Sequence, residues 1–287
     1  MVAYAQPSTL ERRRVPGAGS SARSLLLTVL GEFALPRGEP VWTGTFVSAL
    51  GALGIEEKAT RQALMRSSTE GLLKADRVGR RTRWLLTPQG EQLLQEGTER
   101  IYSFMRQRKR WDGRWLVLMV TVPVSQRRLR HRLRTRLRWA GMGSPAPGLW
   151  VVPDASRLDE VHSIIENLGI AHSTMSWVGP SAGICDTENV VSAAWQLDEI
   201  ASAYDDFVEQ FSGWLVEARE DAFVAQVNLV HAWRRFPALD PALPAELLDQ
   251  DWPGPDAAAL FHRCHRRWHR RAQAHWDQLC AGADERA

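Results

Sequence analysis

Glu56-Glu57-Lys58-Ala59-Thr60-Arg61-Gln62-Ala63-Leu64-Met65-Arg66-Ser67-Ser68-Thr69-Glu70, continued by Gly71-Leu72-Leu73-Lys74-Ala75-Asp76-Arg77-Val78-Gly79-Arg80-Arg81-Thr82-Arg83-Trp84-Leu85-Leu86-Thr87, is the stretch that decides the fold. Wound as a helix, its first part aligns Lys58, Arg61, Gln62, Met65, Arg66 and Thr69 at i, i+3, i+4, i+7, i+8 and i+11, with Ala59, Ala63, Leu64 and Ser67 on the inner side. The second part alternates as two short strands around Val78-Gly79, with arginines at the tip. A basic-faced helix followed by a basic hairpin predicts a DNA-reading helix and its wing. In that geometry Arg61, Gln62, Met65 and Arg66 are placed to reach base edges, Arg to guanine and Gln to adenine. Lys58, Thr60, Arg80, Arg81 and Arg83 would contact phosphates and fix the register. The plainer reading is a solvated helix face and a charged hairpin.

Charge decides between the two. Residues 58 to 83 hold eight Lys/Arg against two acids, and residues 100 to 138 hold thirteen against one. Residues 139 to 287 reverse the balance, with ten against twenty-two, beneath a net charge of only +3. Such a split assigns a polyanion to the first half of the chain.

Upstream of the reading helix, residues 1 to 20 are rich in Ser, Pro, Gly and Arg and are expected to form a disordered arm, Arg12-Arg13-Arg14 included. From Ser24, Leu26, Leu30 and Phe33 recur at helical spacing until Leu35-Pro36-Arg37-Gly38. Val41-Trp42 suffices for a minimal strand, and Thr43 can cap a helix with Phe46, Val47 and Leu50 inward. After the wing, Thr87-Pro88 is a helix start, and the apolar pattern runs to about Met105. Residues 21–105 therefore make one domain, a winged helix-turn-helix.

Downstream, Trp111-Asp112-Gly113-Arg114-Trp115 is a turn, and Leu116 to Val122 a buried strand stopped by Pro123. An arginine-laden helix over Ser125 to Ala140, a strand at Leu149 to Val152, a helix at Leu158 to Leu168 and a strand at Ser173 to Val178 follow, with room for a short strand near Met142. That succession predicts a ferredoxin-like α+β domain over 111–180. Residues 188–281 read as an all-helical domain, with a long apolar stripe over Val190 to Arg219 and helices at Ala222 to Phe236 and Ala257 to Cys280. The fold class is thus α+β and multidomain.

Several function classes drop out. The longest apolar run, Leu116 to Val124, is far too short to span a membrane, and no secretory h-region precedes it. A cytoplasmic location is therefore expected, and Cys185, Cys264 and Cys280, odd in number and sharing no CxxC spacing, argue against a disulfide framework or a structural zinc site. His265 and His269 stand i, i+4 on a helix beside His262 and Cys264, but no carboxylate lies near in sequence, so no metal is assigned. No Ser-His-Asp set, phosphate loop or carboxylate pair is found, so no enzyme and no cofactor is expected.

Several segments together resemble the PaaX family, the phenylacetic-acid degradation repressors. They are Ala22-Arg23-Ser24-Leu25, Leu35-Pro36-Arg37-Gly38, Gly54-Ile55 through Arg66, Gly79-Arg80-Arg81 and Leu86-Thr87-Pro88-Gln89-Gly90, then Trp111 to Trp115, Gly148-Leu149-Trp150-Val151, His231-Ala232-Trp233-Arg234-Arg235-Phe236-Pro237 and Asp251-Trp252-Pro253-Gly254. The tryptophan turn and the His-x-Trp-Arg-Arg run are the most specific. The resemblance implies a homodimeric repressor on double-stranded operator DNA, released by an aryl-coenzyme A thioester such as phenylacetyl-coenzyme A. His231, Trp233, Arg234 and Arg235 suit such an effector, with aromatic surface for the acyl group and arginines for phosphates; core packing and interdomain ion pairs are the alternative. Ser67 and Leu72 depart from the family pattern, where leucine and often tryptophan stand. A nuclease built on the middle domain is the competing function, yet the first strand of that domain ends Val120-Thr121-Val122-Pro123 without an acid. For the arginine helix, Arg127 to Arg138, pairing with the acidic C-terminal domain of the same chain or its dimer partner is favoured over flanking DNA or coenzyme A phosphates.

Overall fold

The computed structural model describes residues 21–106, 110–214, 216 and 218–284; the expected arm over 1–20, with Arg12 to Arg14, lies outside them. The chain is a mixed α+β protein with two antiparallel sheets. It divides into two compact units. One comprises Met1–Thr98, Leu215–Ala232 and His265–Ala287, the other Glu99–Trp214 and Trp233–Cys264.

In the first unit Ser21 caps α1 (Ala22–Val29), its hydroxyl accepting the Ser24 amide at 3.2 Å. The helix then widens into a π-helical turn over Leu30–Ala34, closed by the Leu35 amide donating to the Leu30 carbonyl. Next come β1 (Val41–Trp42), α2 (Thr43–Gly51), α3 (Glu57–Thr69), β2 (Leu73–Val78), β3 (Arg81–Leu86) and α4 (Pro88–Ser103). The sheet order is β1-β3-β2. Gly79, at φ 61°, turns β2 into β3 in a two-residue loop with glycine first, a place L side chains resist. Thr43 opens α2 without capping it: its hydroxyl donates to Thr82 O and accepts the Trp84 indole N–H, joining helix and sheet.

Later segments complete this core. Phe33 and Phe46 of the N-terminal part meet Phe223 of α9 (Arg219–Trp233) and Trp276 of α11 (Gly254–Asp284), with ring centroids 4.9 to 6.4 Å apart. All four rings are fully buried. Ser67 and Leu72 are buried too, so the seat of α3 is built with them; the Ser67 hydroxyl has no hydrogen-bond partner among the described residues.

In the second unit β4 (Arg114–Val120), α5 (Arg127–Trp139), β5 (Gly143–Ala146), β6 (Leu149–Val152), α6 (Leu158–Leu168) and β7 (Thr174–Pro180) form a four-stranded sheet ordered β5-β6-β4-β7. Alternation along β4 turns Leu116, Leu118 and Val120 into a core with Leu133 and Leu137 of α5 and Val161 and Ile165 of α6. On the other face Trp115 packs with Trp195 and Val191 at the end of α7 (Thr187–Ala194). The long helix expected from Val190 breaks at Trp195-Gln196, and α8 (Leu197–Ser212) resumes with Ile200, Tyr204, Phe207 and Phe211 inward. The short α10 (Phe236–Leu239) follows α9.

Candidate nucleic-acid interface and ligand cleft

The register of α3 is set by Ala63, Leu64 and Ser67, which are buried, and this turns Lys58, Arg61, Gln62, Met65, Arg66 and Thr69 to solvent. Met65, an apolar side chain 59% exposed, stands in the middle of that stripe. Arg61 makes an exposed ion pair to Glu57 one turn back, a contact of about 0.3–0.5 kcal/mol that a phosphate or a guanine edge can replace. The start of α1, Ala22 and Arg23, borders the same face. At the hairpin tip Arg80 is exposed, while Arg83 pairs with Asp76 across the strands at 2.7 Å.

Two expected phosphate contacts take other roles. Thr60 is fully buried, its hydroxyl donating to Glu56 O, because it lies on the inner face with Leu64 and Ser67. Arg81 sits over the Trp42 ring, 4.1 Å from its centroid, and donates to Ala283 O near the end of α11. Its guanidinium therefore fastens the hairpin to the unit's own core. Arg81→Ala is expected to cost about 1–2 kcal/mol of stability and to leave the salt dependence of DNA binding nearly unchanged. Arg80→Ala should leave the thermal midpoint alone and lower the slope of log K against log salt by about 0.9. Melting curves and salt titrations of the two variants check this, and equal slopes would erase the distinction.

The proposed effector residues fall in different units. His231 Nδ1 lies 3.1 Å from the Thr28 hydroxyl in the first unit. Trp233 is fully buried in the second, stacked on Phe261 and in ring contact with Phe104, Tyr204, Phe207 and Phe236, its indole N–H donating to Ile101 O. That is a core tryptophan, which corrects the reading of it as acyl-binding surface. Arg235 lies over Phe236 and donates to Ala203 O. Arg234 is half-buried.

A cleft in the second unit meets the chemistry better. A cavity of about 560 Å³ gathers Arg100, Arg138 and Arg157 with Trp139, Met142 and Ile200. The Arg100 guanidinium stands over the Trp139 ring at 4.5 Å and donates to Pro237 O. A neighbouring cavity of about 640 Å³ shares Arg157, Glu160, Pro241 and Ala242. The turn between them is held rigidly: buried Asp240 accepts from the Tyr204 hydroxyl at 2.7 Å and from the Ala242 amide at 2.6 Å. Ala242 (φ 55°) and Met105 (φ 65°) carry left-handed backbones there, each a strain of roughly 1–3 kcal/mol of the kind functional sites retain. Three arginines beside aromatic and aliphatic walls can hold a polyphosphate with an apolar tail once Arg157 gives up its 2.9 Å pair with Glu160, which lines the same cavity with Glu199.

The arginines of α5 lie mostly exposed, with Leu133 and Leu137 beneath them. Among the described residues none of them makes an ion pair.

The architecture has a solved counterpart. An uncharacterized protein, Rv0674 from Mycobacterium tuberculosis, superposes with a TM-score of 0.62 at 23% identity, over 88% of this chain and 98% of that one. It shares the fold. Three family models match in order along the chain: a PaaX-like protein over residues 21–90, the PaaX protein central Cas2-like domain over 108–191 and the PaaX-like protein C-terminal domain over 195–278. The transcriptional repressor PaaX of Escherichia coli (strain K12) is 30% identical over 258 residues, 86% of this chain and 80% of that protein. The chain belongs to the PaaX family.

Proposed function

We propose that the protein is a dimeric transcriptional repressor that binds operator DNA through α3 and the β2–β3 hairpin and is released by an aryl-coenzyme A thioester. The observation that carries it is the solvent-facing stripe Lys58, Arg61, Gln62, Met65, Arg66 and Thr69 in a PaaX-family chain. The element order α1-β1-α2-α3-β2-β3, with β1 joined to β3, supports a winged helix-turn-helix over 21–105. The β5-β6-β4-β7 order supports a ferredoxin-like domain over 111–180, followed by a helical domain over 188–281. A relative named as a repressor supports regulation in place of catalysis. No carboxylate follows β4 at Thr121-Val122-Pro123, so the nuclease reading has no acid where that strand ends.

Dimerisation finds support in β7, an edge strand. Its Met175 and Trp177, 58% and 51% exposed, stand on one sheet face with Met119 of β4, 40% exposed. Three large apolar side chains bared together mark an interaction surface. For the effector, the cleft around Arg100, Arg138 and Arg157 is the seat we favour, with Trp139 and Ile200 toward the acyl group. Release needs the thioester to bind the DNA-incompetent arrangement more tightly than the competent one.

The test is a gel shift on operator DNA selected from a random library, titrated with aryl-coenzyme A thioesters. Two chains per operator and release by at least one thioester are expected. Arg138→Met should retain operator affinity and raise the thioester concentration needed for release about tenfold, since one charge-assisted hydrogen bond contributes about 1.5–3 kcal/mol. An unchanged release curve would remove Arg138 from the seat.

A further inference from the structure

We propose that Glu32, His265 and His269 form a binding site for a divalent transition ion of the zinc class, with Gln226 as a fourth ligand. The ligand atoms of Glu32, His265 and His269 lie within 4.8 Å of one another. All four residues belong to the first unit.

The geometry is that of ligands around a common point. His265 and His269 stand one turn apart on α11 and present Nε2 and Nδ1 to the same place. Glu32 arrives from the π-helical turn, a rare distortion frequent where a side chain must be re-aimed for function. Its Oε1 is 2.7 Å from His265 Nε2 and 3.9 Å from His269 Nδ1. The fully buried Gln226 of α9 puts its amide nitrogen 3.3 Å from each of those ring nitrogens and 2.6 Å from the carboxylate. Ligands bonded at about 2.0–2.1 Å in a tetrahedron lie roughly 3.3–3.4 Å apart, so two of these separations already fit and the others need shifts of about 0.5–0.7 Å.

Gln226 is the second, independent pointer. Its amide nitrogen is crowded against the Glu32 carboxylate and the ring nitrogens of His265 and His269, and since His265 Nε2 is itself the donor to Glu32 it cannot accept from that amide; the buried Oε1 meanwhile has no hydrogen-bond partner among the described residues. Turning the amide by 180° would aim a carbonyl oxygen at the centre of the cluster and make it a ligand. Two imidazoles, a carboxylate and an amide oxygen are a donor set suited to zinc and cobalt. The Glu32 side chain is 6% exposed, and a dication would neutralise that buried charge more fully than one imidazole. His269, 48% exposed on its side chain, leaves a path for entry. Burial, and then the neighbouring His265, holds the His269 imidazole below its ordinary range against the opposing pull of Glu32. Arg37 is the nearby cation, and it is drawn off by Asp277 and Gln273.

Untagged full-length protein, stripped with a chelator, is titrated with Zn²⁺ and separately with Co²⁺. One ion per chain, a raised thermal midpoint, and visible cobalt bands without a thiolate charge-transfer band are expected. Glu32→Gln and His269→Ala should each weaken Zn²⁺ binding at least about 100-fold, the upper end of what an outer-shell partner alone costs. Absence of saturable binding by the unaltered protein, a thiolate band, or unchanged affinity in both variants would overturn the proposal. The unaltered protein and the half-exposed His269 variant keep the test decisive should Glu32→Gln fail to fold.

Discussion

Arg61→Glu combined with Arg66→Glu is expected to lower operator affinity at least about 100-fold and to leave the melting temperature within about 2 °C of the parent. Both guanidiniums stand on the solvent face of α3, away from Ala63, Leu64 and Ser67, which carry its packing. Among the described residues the ion pair at stake is the exposed Arg61–Glu57 pair, of a kind that contributes under about 1 kcal/mol. Against that small loss, each bidentate base contact discriminates by about 1–3 kcal/mol, and reversing the charge sets repulsion against phosphate in its place. Affinity and stability therefore separate. Fluorescence anisotropy on selected operator DNA and a melting curve on the same sample read both. An operator affinity within tenfold of the parent would move the reading surface off α3. The single change Arg61→Ala should chiefly relax base preference, which a competition series over altered operators detects.

Periodicity made that surface legible: a 3.6-residue repeat fixes which side of α3 faces out before any contact is known. Thr60 shows how the same rule was overruled by residue type. It falls at i, i+4, i+7 with Leu64 and Ser67, which is inward spacing, yet its polarity suggested a phosphate contact. Arg81 was unreadable for a different reason. Trp42 and Ala283, its partners, lie 39 and 202 positions away in sequence, and nothing local announces them. The same distance hid Glu32 from the histidines of α11, a separation of 233 residues, so only half of that cluster could be seen. Trp233 misled through chemistry common to both uses: an indole beside arginines suits an aryl pocket and a core equally, and burial decides for the core. The cleft arginines were dispersed at 100, 138 and 157, with the end of the arginine helix, Arg138-Trp139, as the one available hint.

Within α4 two glycines answer the same substitution in opposite ways. A Cβ on Gly90 would stand 2.2 Å from Leu72 O and 3.0 Å from Leu72 C, both backbone atoms with no rotamer to escape through. The approach is enforced from either side: the Thr87 amide donates to Leu72 O, and the Thr87 hydroxyl accepts the Gly90 amide while donating to Gly71 O. To admit a methyl, the helix start must leave the Leu72 backbone just ahead of β2 and give up that cap, worth about 1 kcal/mol, besides the overpacking cost of about 1–3 kcal/mol. Gly90→Ala is expected to lower the melting temperature by roughly 5–10 °C. It should also weaken operator binding, because Leu72, whose amide is held by Ser67 O, joins α3 to the hairpin. Gly97 meets nothing within 4 Å, so Gly97→Ala should be neutral or raise stability by about 0.4–1 kcal/mol through helix propensity and a less free unfolded chain. Calorimetry on both variants separates steric exclusion from propensity: a shared sign would mean that the contact between α4 and β2 yields easily, and the Leu-Thr-Pro-Gln-Gly run would then owe its glycine to something other than packing.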